Sequence, residues 1–155
     1  MNLPENLAPL SLLFSLWLAF LSTDLGAAQK GQQAVQVQIG TILASNESED
    51  FDPKLSKIKK QLEVIKYSSY RSIKEETKKV PWQTNVVFEI PGGRSLVVMP
   101  HEYRNQRLSL KVRLLQGDKP LLDTTVWLQN RGNFLLGGPP HEGGVLILSI
   151  SAVAQ

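Results

Sequence analysis

The chain has 155 residues, 42% of them hydrophobic and 20% charged, which suits one ordinary globular domain and not a disordered segment. Its formal charge is +3. It contains no cysteine, which excludes disulfides, zinc–thiolate sites, thiol catalysis and lipid attachment through an N-terminal cysteine.

The first segment reads MNLPENLAPLSLLFSLWLAFLSTDLGAAQKGQQ. Residues 7 to 22 are almost entirely apolar, and the small residues Gly26, Ala27 and Ala28 follow. An apolar core followed by small residues is the layout of a secretory signal peptide, with cleavage expected after Ala28. The segment is atypical in one respect: it holds Glu5 and Asp24 and no Lys or Arg before position 29. A retained anchor is the alternative, although the run is shorter than the roughly 20 residues a spanning helix needs. Removing residues 1 to 28 takes away two acids and no base, which leaves 17 bases against 12 acids and a formal charge of +5.

Val35, Val37, Ile39, Thr41 and Leu43 alternate with Gln36, Gln38, Gly40 and Ile42, which predicts a half-buried strand. The acidic loop NESEDFDP follows. Asp52-Pro53 is a helix start, because Asp caps free N–H groups and Pro is tolerated in the first turn. Leu55, Ile58, Leu62 and Ile65 then recur at helical spacing, so one amphipathic helix is predicted over about 53 to 66.

After it the period drops to two in YSSYRSIKEETKKV, which predicts a strand irregular at its end. NVVFEI, PGGR and SLVVM form a hairpin about a Gly-Gly turn. LSLKVRLL alternates with Leu108, Leu110, Val112 and Leu114 inward. GDKP is a turn, LLDTTVWL a strand, NRGN a turn, and VLILSISA a last apolar strand. The expected fold is α+β and mostly β: an antiparallel β-sandwich or twisted sheet of about seven strands with one amphipathic helix, in a single domain over residues 29 to 155.

Few residues suggest chemistry. GGPPHEGGVLILSI, at 137 to 150, lacks the helix a phosphate-gripping loop requires, so its glycines and prolines read as a hairpin loop. His101-Glu102 and His141-Glu142 would make a metal site only if the fold joined them across 40 residues. Ser56-Lys57-Ile58-Lys59 matches S-x-x-K without its companion motifs. Asn46-Glu47-Ser48 is formally a glycosylation sequon. No catalytic set, cofactor or metal is expected. Nine of the 17 bases fall between Lys54 and Lys79 against three acids, which reads as a solvated helix face, with an acidic partner or anionic surface as the alternative. Nucleic acid is not expected as a partner of an exported chain.

YSSYRSI at 67–73, PGGRSLVVMP at 91–100, LLDTTVWL at 121–128 and GGPPHEGGVLILSI at 137–150 resemble, in order and spacing, a family of small uncharacterised exported proteins of deltaproteobacteria. Those proteins pair an N-terminal signal with a helix, a Tyr-Ser-x-aromatic-Arg segment and a Gly-rich hairpin near the end. The resemblance spans most of residues 35 to 152. It implies a compartment and a domain outline, and neither an activity nor a site. A shorter likeness, about fifteen residues long, is to the secretins of bacterial secretion systems, where a Gly-Gly turn also precedes an apolar strand.

The expectation from all this is a non-enzymatic periplasmic or secreted domain that binds a protein partner, an envelope or secretion component among the candidates. It would touch a membrane only through residues 1 to 28. The expected partner surface joins Tyr67, Tyr70 and Arg71 to the loop 137–144, with Gly138, Pro139, Pro140, His141 and Glu142, since aromatics and Arg anchor interfaces. Core packing is the alternative for the two tyrosines, and pairing with Glu75 or Glu76 the alternative for Arg71. Two other readings remain: a structural part of an envelope assembly, and a small-ligand or enzymatic sandwich built on Arg94, His101 and His141.

Overall fold

A computed structural model describes residues 33–155. The expected signal peptide lies outside the described residues.

Eight strands form two four-stranded antiparallel sheets. The first sheet has the order β2-β1-β8-β7, from β1 (Ala34–Ser45), β2 (Ser69–Pro81), β7 (Asn133–His141) and β8 (Gly144–Ala154). The second has the order β3-β4-β5-β6, from β3 (Val86–Ile90), β4 (Arg94–Arg104), β5 (Arg107–Gln116) and β6 (Lys119–Gln129). The architecture is a β-sandwich with a helical cover, as the alternating pattern predicts.

The alternation of β1 places Val35, Val37, Ile39 and Leu43 in the inter-sheet core beside Leu146, Leu148 and Ile150 of β8. The second sheet supplies Phe88, Leu96, Val98, Leu108, Leu110, Val112 and Leu114 to the same core. A smaller cluster lies on the opposite, outer face of the first sheet. There Ile42, Ala44 and Ile147 meet Leu55 and Leu62 of the helical segment, and Tyr70.

The turns follow from backbone chemistry. β4 and β5 join through Asn105-Gln106, and β7 and β8 through Glu142-Gly143; both residues of each pair have positive φ. Such two-residue turns match the twist of the strands they connect.

Two expectations are corrected. The helix is shorter than 53 to 66: Pro53–Ile58 is a 3₁₀ helix, followed by one α-helical turn, α1 (Lys59–Leu62). It begins as expected, with Asp52 accepting from the Lys54 N–H and Pro53 in the first turn. It ends early because the Tyr70 hydroxyl lies against the carbonyls of both Leu62 and Ile65, and Ile65 N–H closes back on Leu62. The carbonyl that would accept from Lys66 in a longer helix is already engaged.

The second correction concerns residues 137 to 144. Gly137, Gly138, Pro139 and Pro140 are not loop but strand, the eighth, which the sequence count omitted. Proline lacks the N–H of an interior ladder and is accommodated on an edge. β7 is such an edge, and its register shifts between Gly137 and Pro140. Gly138 is required by close approach: a Cβ there would lie 2.8 Å from the Leu146 carbonyl oxygen.

Candidate functional site

Two half-open depressions flank the helical segment. The first, about 680 Å³, lies on the outer face of the first sheet. Its floor is Gly40, Ile42, Ser149 and Ser151, and Lys54, Lys57 and Arg131 stand around it. Gln61, Asn133 and Ser149 form a hydrogen-bonded chain along it, Ser149 Oγ to Asn133 at 2.6 Å and Asn133 Nδ2 to Gln61 at 2.7 Å.

The second, about 630 Å³, lies at the end of the sandwich where β1 leaves the sheet, β2 enters it and the β7–β8 turn closes. Leu43, Phe51 and Tyr70 line it together with Glu47, Asp50, Asp52, Arg71 and Glu142. Segments about a hundred residues apart in sequence meet here, because Ala44 and Val145 are paired across β1 and β8.

The expected partner surface divides on this geometry. Arg71 and Glu142 are exposed and line the end depression. Tyr70 also lines it, but is only 6% exposed, and its hydroxyl accepts from the Tyr67 N–H at 3.2 Å while lying against the Leu62 and Ile65 carbonyls. Tyr70 therefore fastens the helical segment to β2. Tyr67 is half-buried and packs on the same cluster. Gly138, Pro139 and Pro140 belong to the β7 edge. His141 is half-buried, its Nε2 3.7 Å from Glu142.

The alternative for Arg71, pairing with Glu75 or Glu76, is not what the structure shows. Glu76 is held by Lys74 and Lys78 at 3.3 and 3.1 Å, and Glu75 accepts from Gln38. The carboxyl of Glu76 is held below its usual range, first by the Lys78 hydrogen bond and then by that of Lys74, against partial burial.

Arg94, His101 and His141 do not converge as a set. Arg94 donates from Nη2 to the Pro140 carbonyl at 3.1 Å, from Nη1 to that of Pro91 at 3.1 Å, and from Nε to Gln116 at 2.8 Å. A Cβ on Gly92 would sit 2.7 Å from Arg94 Nη1 and 3.5 Å from His141 Nδ1, so the two side chains flank that glycine. Arg94 thereby clamps one sheet to the other. His101 stands seven residues along β4, roughly 23 Å at strand rise, with its carbonyl bonded by Gln83. Its separation removes the motive for a ligand site built on the three. Among the described residues no group of three or more His, Asp or Glu side chains is gathered to hold a metal.

The lysines of the basic segment have an arrangement that the charge count did not reveal. Lys74, Glu76 and Lys78 share the inward parity of Val80, at the open seam between the edge strands β2 and β3. Lys74 Nζ donates to the Glu89 carbonyl at 2.9 Å and Lys78 Nζ to that of Val87 at 2.6 Å. Lys78 also lies 4.9 Å over the Phe88 ring. The visible signal was the alternation itself, which places these charges on the face that holds Val80.

The fold and these surfaces define a class, the two-sheet antiparallel β-sandwich with a helical cover on one outer face. Comparison with known proteins adds no family: no family model, no curated protein and no solved structure matches the chain. No helix among the described residues is long and apolar enough to cross a membrane.

Proposed function

We propose that this chain is an exported, non-enzymatic binding domain that engages a protein partner in the periplasm or cell envelope. The observation that carries the reading is the end depression, where the segment after the helix and the β7–β8 turn meet around an apolar floor. Its rim carries Glu47, Asp50 and Glu142 against Arg71. A partner segment with a basic side chain and an apolar anchor complements it. Burial of the anchor supplies affinity, and the charges supply orientation and approach rate. Export rests on the apolar N-terminal segment and the small residues before Gln29, and on the resemblance to small exported proteins.

The test is site-specific photocrosslinking in the native cell, with the crosslinking residue placed at Arg71, at Glu142 and, on the far side, at Lys111. A discrete adduct from Arg71 and Glu142 that is absent from Lys111 and lost in Glu47→Lys/Asp50→Lys supports the reading. Equal labelling at all three positions, or none, overturns it. Cell fractionation with intact mass tests export separately, since a soluble periplasmic species starting at Gln29 is expected.

A further inference from the structure

A two-sheet sandwich has four edge strands, here β2, β7, β3 and β6. An unpaired edge is a template for another strand, and folded domains normally blunt it. Three of these edges are blunted by visible means. β2 and β3 are stitched together by Lys74 and Lys78, whose ammonium groups occupy the Glu89 and Val87 carbonyls, with Glu76 between them. β7 is interrupted by its register shift and by Pro139 and Pro140, which have no N–H to offer.

β6 has no comparable protection. Its one ladder is with β5, and among the described residues its only further backbone bond is Gln129 carbonyl to Gly132 N–H, in the turn that leaves for the other sheet. Its single irregularity lies at its beginning, near Pro120, so the eight residues Leu122 to Gln129 run in regular register. Inward residues Leu122, Val126 and Leu128 belong to the core or pack on it. On the outer face stand Leu121, Asp123, Thr125 and Trp127, with Leu121 41% and Trp127 37% exposed. The Trp127 ring carries the guanidinium groups of Arg104 and Arg107, 5.7 and 5.9 Å from its centroid.

We propose that β6 is the edge at which two copies of this chain join, antiparallel, about a two-fold axis at Thr125. A second copy fits because the strand is complementary to itself in this register. Thr125 meets its own counterpart, and threonine pairs are favourable across strands. Leu122 faces Leu128 of the second copy on the inner side. Asp123 faces Trp127 of the second copy, so each carboxylate arrives beside the Arg104–Trp127–Arg107 stack of the other chain. No like charges stand opposite each other over Leu122 to Leu128, where Asp123 is the only charged residue. The pairing is isologous and closed, as a two-fold interface must be, and turns two four-stranded sheets into one of eight.

The chain contains no cysteine, so a single introduced thiol reports on one position. In full-length Thr125→Cys, oxidation is expected to give a disulfide-linked dimer, because only this register sets residue 125 opposite itself on the outer face. Ser95→Cys, on the same outer face two strands away, is expected to form no disulfide-linked dimer. Thr125→Lys, an edge-blunting change at a solvated position, is expected to abolish the dimer in light scattering without altering the melting curve extrapolated to low concentration. A single-chain mass for the native protein, together with no disulfide-linked dimer of Thr125→Cys, overturns the proposal. So does cross-linking of Ser95→Cys but not of Thr125→Cys, which would mean packing by sheet face. A mixed disulfide between Thr125→Cys and a different protein also overturns it, in favour of a foreign strand on the same edge.

Discussion

The outer face of the first sheet and the outer face of the second are made by the same alternation, yet one is covered and the other is bare. At the covered end, Ile42 and Ala44 of β1 and Ile147 of β8 are apolar at outward positions and meet Leu55, Leu62 and Tyr70. At outward positions on the second sheet stand Lys111, Arg113, Asp123 and Thr125, with Arg113 and Asp123 paired at 3.2 Å. The difference is already present in the strands. Ile42-Leu43-Ala44 and Val145-Leu146-Ile147-Leu148 are apolar at both parities, the mark of a strand buried on two faces. LSLKVRLL alternates, and its sheet keeps one face in water. A helical segment that starts at Asp52 therefore has one place on the sandwich where its apolar stripe is matched.

Truncating one side chain on each face gives the largest expected difference between them. Leu62 is fully buried on the inner side of the covering segment, so Leu62→Ala is expected to cost about 2 to 5 kcal/mol in urea unfolding. Trp127→Ala, on the bare face, is expected to change the stability of a single chain by no more than about 0.5 kcal/mol despite its larger side chain. Equal costs would mean that the second face is also covered. Tyr70→Phe comes next. It keeps the ring and deletes the hydroxyl that accepts from Tyr67 and occupies the Leu62 and Ile65 carbonyls. It is expected to cost about 1 to 3 kcal/mol, and to raise amide exchange selectively between residues 59 and 67.

That tyrosine also shows what the sequence conceals. Periodicity exposed the helix stripe, its cap at Asp52-Pro53 and the alternation of β1 and β5, because those signals are local. The end of the helix was not local: it is set by a hydroxyl delivered from β2, and no window that stops at Ile65 contains it. β7 was missed for a related reason. Gly137-Gly138-Pro139-Pro140 carries turn chemistry, and only a knowledge of sheet order shows that an edge position tolerates it. The end depression was half legible. Arg71 was singled out from residue type and Glu142 from its place in the Gly-rich loop, whereas Glu47 and Asp50 looked like part of an acidic loop. Their convergence depends on β1 lying beside β8, a pairing of residues about a hundred positions apart.

The seam lysines give a smaller effect that sharpens the same contrast at the level of edges. Lys78→Ala removes the bond to the Val87 carbonyl and the contact with the Phe88 ring. An expected loss of about 0.5 to 1 kcal/mol accompanies faster exchange of the Val86–Ile90 amides. Lys78→Met, which keeps the stem over the ring, is expected to recover part of the stability and none of the edge protection, so its concentration-dependent aggregation should match that of Lys78→Ala.

The smallest effect separates two ways of holding a carboxylate. Asp52 sits below its usual range chiefly because Oδ1 accepts from the Lys54 N–H at 3.0 Å, with Oδ2 accepting from Ser72 N–H at 3.1 Å and the Lys54 charge adding less, against some burial. Glu76 is lowered by the ammonium groups of Lys78 and Lys74. For both, the folded value lies below the unfolded one. The stabilisation is therefore complete above the unfolded pKa and is lost as pH falls through the folded pKa. Asp52→Asn and Glu76→Gln cannot titrate there, so the stability gap between each variant and the native chain is expected to narrow from neutral pH into the acid range. Salt then distinguishes them. The Glu76 gap at neutral pH is carried by side-chain charges on a partly exposed seam and should shrink as ionic strength rises. The Asp52 gap is carried mainly by neutral backbone donors and should persist. If both gaps shrink together, the cap is held by the Lys54 charge rather than by the backbone, and the helical segment is anchored by the same surface electrostatics as the seam.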